Sequence, residues 1–165
     1  MSAFVIDALE FCRLKERREG EIAVADLPRL AQESVDKSGA VRWSLQGGSN
    51  ERGHPQLNLV IAGTVRLMCQ RCLTPFEFEM AAESVLILAP DERSADEIDA
   101  LLADESVEVI VGSRDFDIEQ LIEDEALLAI PLSPKHEACP DQLVMNAGED
   151  LKKESPFAVL KNLKQ

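Results

Sequence analysis

Hydrophobic positions are spaced by twos in the middle of the chain and by threes and fours on either side of it. Leu57, Leu59, Ile61, Val65, Leu67 and Cys69 occupy alternate positions, with Asn58, Thr64 and Arg66 between them, the period of a half-buried strand. A short connection later, Phe76, Phe78 and Met80 alternate with Glu77 and Glu79, and Val85 to Leu88 extends that second arm. Two long alternating arms joined by about six residues predict an antiparallel hairpin. The sequence Cys69-Gln70-Arg71-Cys72 falls at its tip. Shorter strands are predicted at Val41 to Leu45, before the polar loop GGSNERGHP, and at Val107 to Val111.

The helical periods lie outside this hairpin. Asp26 and Pro28 suit a helix start, Leu27, Leu30, Ala31, Ser34 and Val35 share one face, and Gly39 suits the stop. Ser94 and Glu97 have the spacing of a capping box, which predicts a short surface helix with Ile98, Leu101 and Leu102 inward. Asp117 is placed to cap a stronger helix before Pro131. On it Ile118, Leu121, Ile122, Ala126 and Ala129 face the core, and Glu119, Glu123 and Asp124 face water. Ser155 and Pro156 open a C-terminal helix striped by Phe157, Leu160 and Leu163, behind a polar tether over 145–154. Strands grouped centrally with helices outside predict an α+β fold: a central antiparallel sheet built on the long hairpin, with flanking helices. The expected organisation is one domain, 1–165, with its core at about 40–144.

Composition narrows the function. The 165 residues are 45% hydrophobic and 29% charged, ordinary for a folded chain, but only 4% aromatic, so the core must be aliphatic. Thirty-one acidic residues against seventeen basic ones give a formal charge of −14, which argues against a wrapping, non-specific nucleic-acid binder. No run is long enough to span a membrane. The N-terminus places its apolar part before its basic part, the reverse of a secretory signal. Four cysteines are too sparse for a disulfide scaffold, so the expected setting is the cytoplasm, with thiols reduced or bound to metal.

Cys69 and Cys72 can converge on one metal ion, and His136 and Cys139, with the same three-residue offset, could complete a Cys₃His zinc site. Turn thiols with no metal are the simpler reading of the same residues. A thioredoxin-like role needs the pair at a helix N-terminus, and here it lies between strands. Neither histidine nor any serine has the context of a nucleophile system, and no phosphate-cradling glycine loop occurs. The basic residues form three small groups, Arg13 to Arg18, Arg66 with Arg71, and Lys152, Lys153, Lys161 and Lys164. Brought together, two of them could contact RNA phosphates.

Three segments, Leu67–Phe76, Ile122–His136 and Ser155–Lys164, resemble in order the signature blocks of the YceD family, the bacterial and plastid large ribosomal RNA subunit accumulation proteins. The resemblance covers roughly residues 40–165. It implies a non-enzymatic role in synthesis, processing or stability of 23S rRNA, with precursor rRNA or a large-subunit ribosomal protein as partner and no small-molecule substrate. The residues it singles out are Cys69, Arg71 and Cys72, then Glu123, Asp124 and Glu125, then Pro131, His136, Phe157 and Leu160. With this charge, the favoured route is an acidic face on 91–108 and 119–125 meeting a basic ribosomal protein, with RNA contact through Arg66 and Arg71 as its second form. The contrasting class is a zinc- or thiol-dependent enzyme acting through Cys69 and Cys72.

Overall fold

The computed structural model describes residues 4–139. Its elements run β1 (Val5–Ile6), α1 (Ala8–Arg13), β2 (Arg17–Ala23), α2 (Pro28–Glu33), β3 (Ala40–Ser49), β4 (Pro55–Met68), β5 (Pro75–Ala89), α3 (Glu92–Leu101), β6 (Glu108–Val111), β7 (Phe116–Asp117) and α4 (Ile118–Ala129). Five strands form one sheet in the order β2-β3-β4-β5-β6, and β1 pairs separately with β7. The fold is α+β, and the sheet is antiparallel except for β5 and β6, which run parallel. A parallel neighbour needs a crossover, and α3 supplies it. The predicted C-terminal helix and its tether lie outside the described residues.

The predicted hairpin is the spine of the sheet. β4 and β5 pair from Gln56↔Ile87 to Met68↔Pro75 in unbroken register. Leu57, Leu59, Ile61, Val65 and Leu67 therefore stand on one face with Phe76, Phe78, Met80, Leu86 and Leu88, and all ten belong to the main core or pack against it. α1 and α4 cover this face. Ile87 and Ala89 point the other way and are buried at the end of the sheet where α3 packs. Among the described residues, no helix is long and apolar enough to cross a membrane.

The structure departs from the sequence pattern in several places. The first 25 residues contain β1, α1 and the edge strand β2. β2 reads RREGEIA, with one buried residue, so edge exposure erases the hydrophobic alternation that would reveal it. β3 runs on through Gly47 and Gly48 to Ser49, since Gly47 lets the backbone of Phe11 and Cys12 approach. α2 ends at Glu33, and Gly39 serves as a crossing point instead: its φ is +99° and a Cβ there would lie 2.1 Å from the Thr64 carbonyl oxygen. α3 starts one turn early, because the Asp91 side chain accepts from the Ser94 N–H at 2.7 Å. Leu102 is then buried, Ile98 is half-buried, and Leu101 faces out.

The Asp117 cap forms as expected, accepting from the Gln120 N–H at 3.2 Å. The expectation that Glu123 faces water is wrong, and the reason lies in α2. That helix has Leu27 at its N-cap, with no side-chain cap of its own. Glu123 reaches in from α4 and accepts from the N–H groups of Arg29 at 2.5 Å and Leu30 at 3.1 Å, and from Arg29 Nε at 2.9 Å. A carboxylate at a helix N-terminus both satisfies orphan donors and complements the helix dipole. Burial pushes the Glu123 carboxyl up, but the Leu30 N–H, the Arg29 guanidinium and the Arg29 N–H outweigh it and hold it below its ordinary 4.5.

Replacing Glu123 by Ala is expected to cost about 3 kcal/mol at pH 7, since it strands buried donors and removes charge-assisted bonds. Because the folded-state pKa is depressed, the contribution is full above about pH 4.5 and disappears as pH falls through the folded value. Urea midpoints for the native chain and Glu123→Gln should accordingly converge on acidification below that pH.

A cysteine and histidine cluster at the hairpin tip

The turn between β4 and β5 is closed by its own backbone. The Cys69 N–H donates to the Thr74 carbonyl and the Leu73 N–H to the Cys69 carbonyl, both at 3.0 Å. Leu73 takes a left-handed conformation, φ +56°, which turns the chain back within the motif. This tight return brings Cys69 and Cys72 to the same side.

The segment after α4 folds back onto this tip. The Gln70 N–H donates to the Pro134 carbonyl at 2.8 Å, the Arg71 guanidinium donates to the His136 carbonyl, and the His136 and Phe76 rings lie 4.8 Å apart. These contacts bring together the four residues singled out for metal binding. The Cys69 and Cys139 sulfurs are 3.9 Å apart, Cys72 Sγ lies 3.3 Å from His136 Nδ1, and all four donor atoms lie within 4.8 Å of one another. Sulfurs around a tetrahedral zinc, each about 2.3 Å from the ion, stand about 3.8 Å apart. The spacing thus fits a shared ion and is far too long for a disulfide bond of about 2.05 Å. Cys12, the fourth cysteine, lies elsewhere, on the buried face of α1 with its thiol against the Gln56 carbonyl.

Electrostatics distinguish the thiols. Burial pushes Cys69 up, but the N–H groups of Cys72, His136 and Arg71 and the His136 ring stabilise its thiolate and bring its pKa down to about 5. The geometry shows part of this directly, with the Arg71 N–H aimed at Cys69 Sγ at 3.4 Å. Burial and the hydrogen bonds to Cys72 and Cys69 push Cys139 up. One ready thiolate among protonatable donors is a suitable start for a metal site, because thiols must lose their protons to ligate.

The other residues considered for partner contact fall into two groups. Arg66 ion-pairs with Asp36 at 2.9 Å, and Arg71 is engaged at the tip. On α4, Glu123 is occupied at α2, Asp124 pairs with Arg29 Nη1 at 2.6 Å, and Glu125 is turned onto the sheet to accept from Ser84 Oγ. Asp36 and Arg29, the partners that position Arg66 and the α4 acids, were not among the residues the sequence singled out. Their distance along the chain left no local signal.

Arg71→Ala removes the side-chain hook on the 130–139 segment. Amide exchange of residues 132–139 is expected to quicken by about tenfold while the global urea midpoint moves little. Unchanged exchange there would show that the Gln70–Pro134 bond and the sulfur and histidine contacts hold the segment without the Arg71 side chain.

Comparison with known proteins bears on the same region. The model of the family "Large ribosomal RNA subunit accumulation protein YceD" matches residues 57–164, which includes the hairpin, its tip, α4 and the segment beyond. A protein of that name from Haemophilus influenzae (strain ATCC 51907 / DSM 11121 / KW20 / Rd) is 32% identical over 157 residues, covering 88% of this chain and 86% of its own length. No solved structure matches. From the family match and this relative, the chain belongs to the YceD family.

Proposed function

We propose that this chain is a non-catalytic, cytoplasmic factor that supports 23S rRNA accumulation by holding a basic large-subunit ribosomal protein during assembly. Family membership and the relative's name support the general role. The observation that carries the protein-mediated route is where the charge sits. Residues 91–129, which comprise α3, β6, β7 and α4, contain fourteen acidic residues and two arginines. Asp91, Glu92, Asp104 and Glu105, on and just beyond α3, are exposed, so the surface of that helix would repel phosphate and attract a basic protein. Arg66 and Arg71 near the tip are the other route, direct contact with RNA, but both are already committed to partners within the chain.

The tip cluster has a structural part in this reading. Cys69, Cys72, His136 and Cys139 would hold one zinc ion and fasten the 130–139 segment to the hairpin, adding stability on the order of 10 kcal/mol when bound. The Cys72–His136 contact also has the form of a thiol beside a base, which is what the enzyme reading requires. Two further sulfurs within the same 4.8 Å favour a ligand set over a nucleophile.

Two measurements test these statements. The chain, retrieved from growing cells at low and high salt, is expected to bring down a large-subunit ribosomal protein. Lysine substitutions at Glu92, Asp96 and Asp99 should abolish that capture. Capture that survives the substitutions sinks the acidic-face reading, and recovery of rRNA alone with a steep salt dependence favours the arginine route. For the tip, one zinc per chain is expected, and Cys69→Ser with Cys72→Ser should lower the midpoint of thermal unfolding. A fully folded double variant that has lost only a chemical activity would favour the enzyme.

A further inference from the structure

Three thiols meet at the hairpin tip, and they are not equivalent. Cys69 is fully buried, whereas Cys72 and Cys139 each keep part of their surface open to solvent. Cys72 Sγ is engaged twice, by Thr74 Oγ1 at 3.0 Å and by His136 Nδ1 at 3.3 Å. That leaves Cys69 and Cys139, whose sulfurs lie 3.9 Å apart although the residues stand seventy positions apart in the chain. Cys12 stands away from them on α1, its thiol on the Gln56 carbonyl.

The approach of the two sulfurs is held by groups outside the pair. The Gln70 N–H on the Pro134 carbonyl, at 2.8 Å, and the Arg71 guanidinium on the His136 carbonyl fix the chain just before Cys139. The Arg71 N–H, aimed at Cys69 Sγ at 3.4 Å, favours negative charge on that sulfur. A solvent-reachable thiol with a second thiol poised beside it is the arrangement of an oxidisable cysteine and its resolving partner.

We propose that Cys69 and Cys139 form a reversible oxidation site, which a peroxide closes into a disulfide, displacing any ion the tip holds. Of the two, Cys139 is the sulfur that hydrogen peroxide can reach. Its thiolate attacks one peroxide oxygen, the O–O bond breaks, and the sulfur becomes a sulfenic acid as hydroxide departs. The Cys69 thiolate then attacks the Cys139 sulfur, the S–O bond breaks, and a second hydroxide leaves. The two protons given up by the thiols turn both hydroxides into water. The sulfurs together lose two electrons, which reduce one hydrogen peroxide to two waters. A dithiol reductant reverses the change by thiol–disulfide exchange.

The consequence is particular to this pair. A Cys69–Cys139 bond ties the 130–139 segment to the hairpin, the same join that zinc would make, whereas a bond within the Cys69–Cys72 turn would leave that segment without a covalent tie. Oxidative loss of the ion would then leave the tip closed. Release of an ion rests on the zinc reading of the tip, but the bridge does not, so either can fail alone.

Full-length protein as purified, its zinc content measured first, is treated with a small excess of hydrogen peroxide and mapped by mass spectrometry of unreduced peptides. A Cys69–Cys139 bridge is expected, formed also in Cys72→Ser and lost on adding dithiothreitol. Zinc, where present, should be released as the bridge forms, which a chromogenic chelator reads. Amide exchange of residues 132–139 should be about tenfold slower in the bridged chain than in the reduced, metal-free one. With chelator present, the bridged chain should unfold about 10 °C above the reduced chain, since the loop closed is long. A bridge between Cys69 and Cys72, Cys139 carried only to sulfinic acid, or zinc kept with no bridge formed would each overturn the proposal. A bridge found only between isotope-labelled and unlabelled copies would overturn it in favour of a link between chains. A protein that carries no zinc and still forms the bridge would support the pairing and remove the ion from the tip.

Discussion

The pairing of β4 with β5 is the constraint on which the rest of the molecule depends. Side chains alternate across a strand, so a one-residue slip would send Leu57, Leu59, Ile61 and Leu67 to the wrong face of the sheet. The unbroken register prevents this and sets three things at once. It defines the face that α1 and α4 cover, positions β5 to receive β6, and places the cysteine turn at the far end of the longest hairpin. The core is aliphatic and continuous along this hairpin, with Trp43 and Phe11 filling the side toward β2.

Acidic residues are used in two opposite ways. Glu123 is withdrawn from water and spent on the N-terminus of α2, a helix without a side-chain cap of its own, and so ties α4 to an element more than ninety residues earlier. Glu125 is likewise drawn inward to Ser84. Asp91, Glu92, Asp96, Glu97 and Asp99 of α3 and its N-cap, by contrast, stay exposed.

The tip cluster joins the two halves of the chain. The Gln70 N–H on the Pro134 carbonyl and the Arg71 guanidinium on the His136 carbonyl already bring the 130–139 segment to the turn before any ion is considered. The sulfur positions then have the spacing that a tetrahedral ion requires. An ion here would secure a segment that otherwise has little apolar burial, with Leu132 fully exposed.

Much of this was legible in the sequence, and the division has a physical basis. Elements that bury one side chain in two, or one face of a helix, announce themselves by period, which is why β4, β5, α4 and the cysteine turn were evident. The four metal-ligand candidates were identifiable by residue type and spacing, but their convergence was not, since it depends on a loop returning across nearly seventy residues. β2 and β7 were hidden because an edge strand and a two-residue strand bury too little to leave a pattern. Glu123 looked solvated because a buried carboxylate is stabilised only by donors that arrive from elsewhere, here Arg29 and Leu30. The sequence by itself determined the elements whose burial is periodic and the chemistry available at the turn. Tertiary structure alone decided which charges are buried, how β6 joins in parallel and where the four candidate ligands meet, because each rests on contacts between residues far apart in the chain.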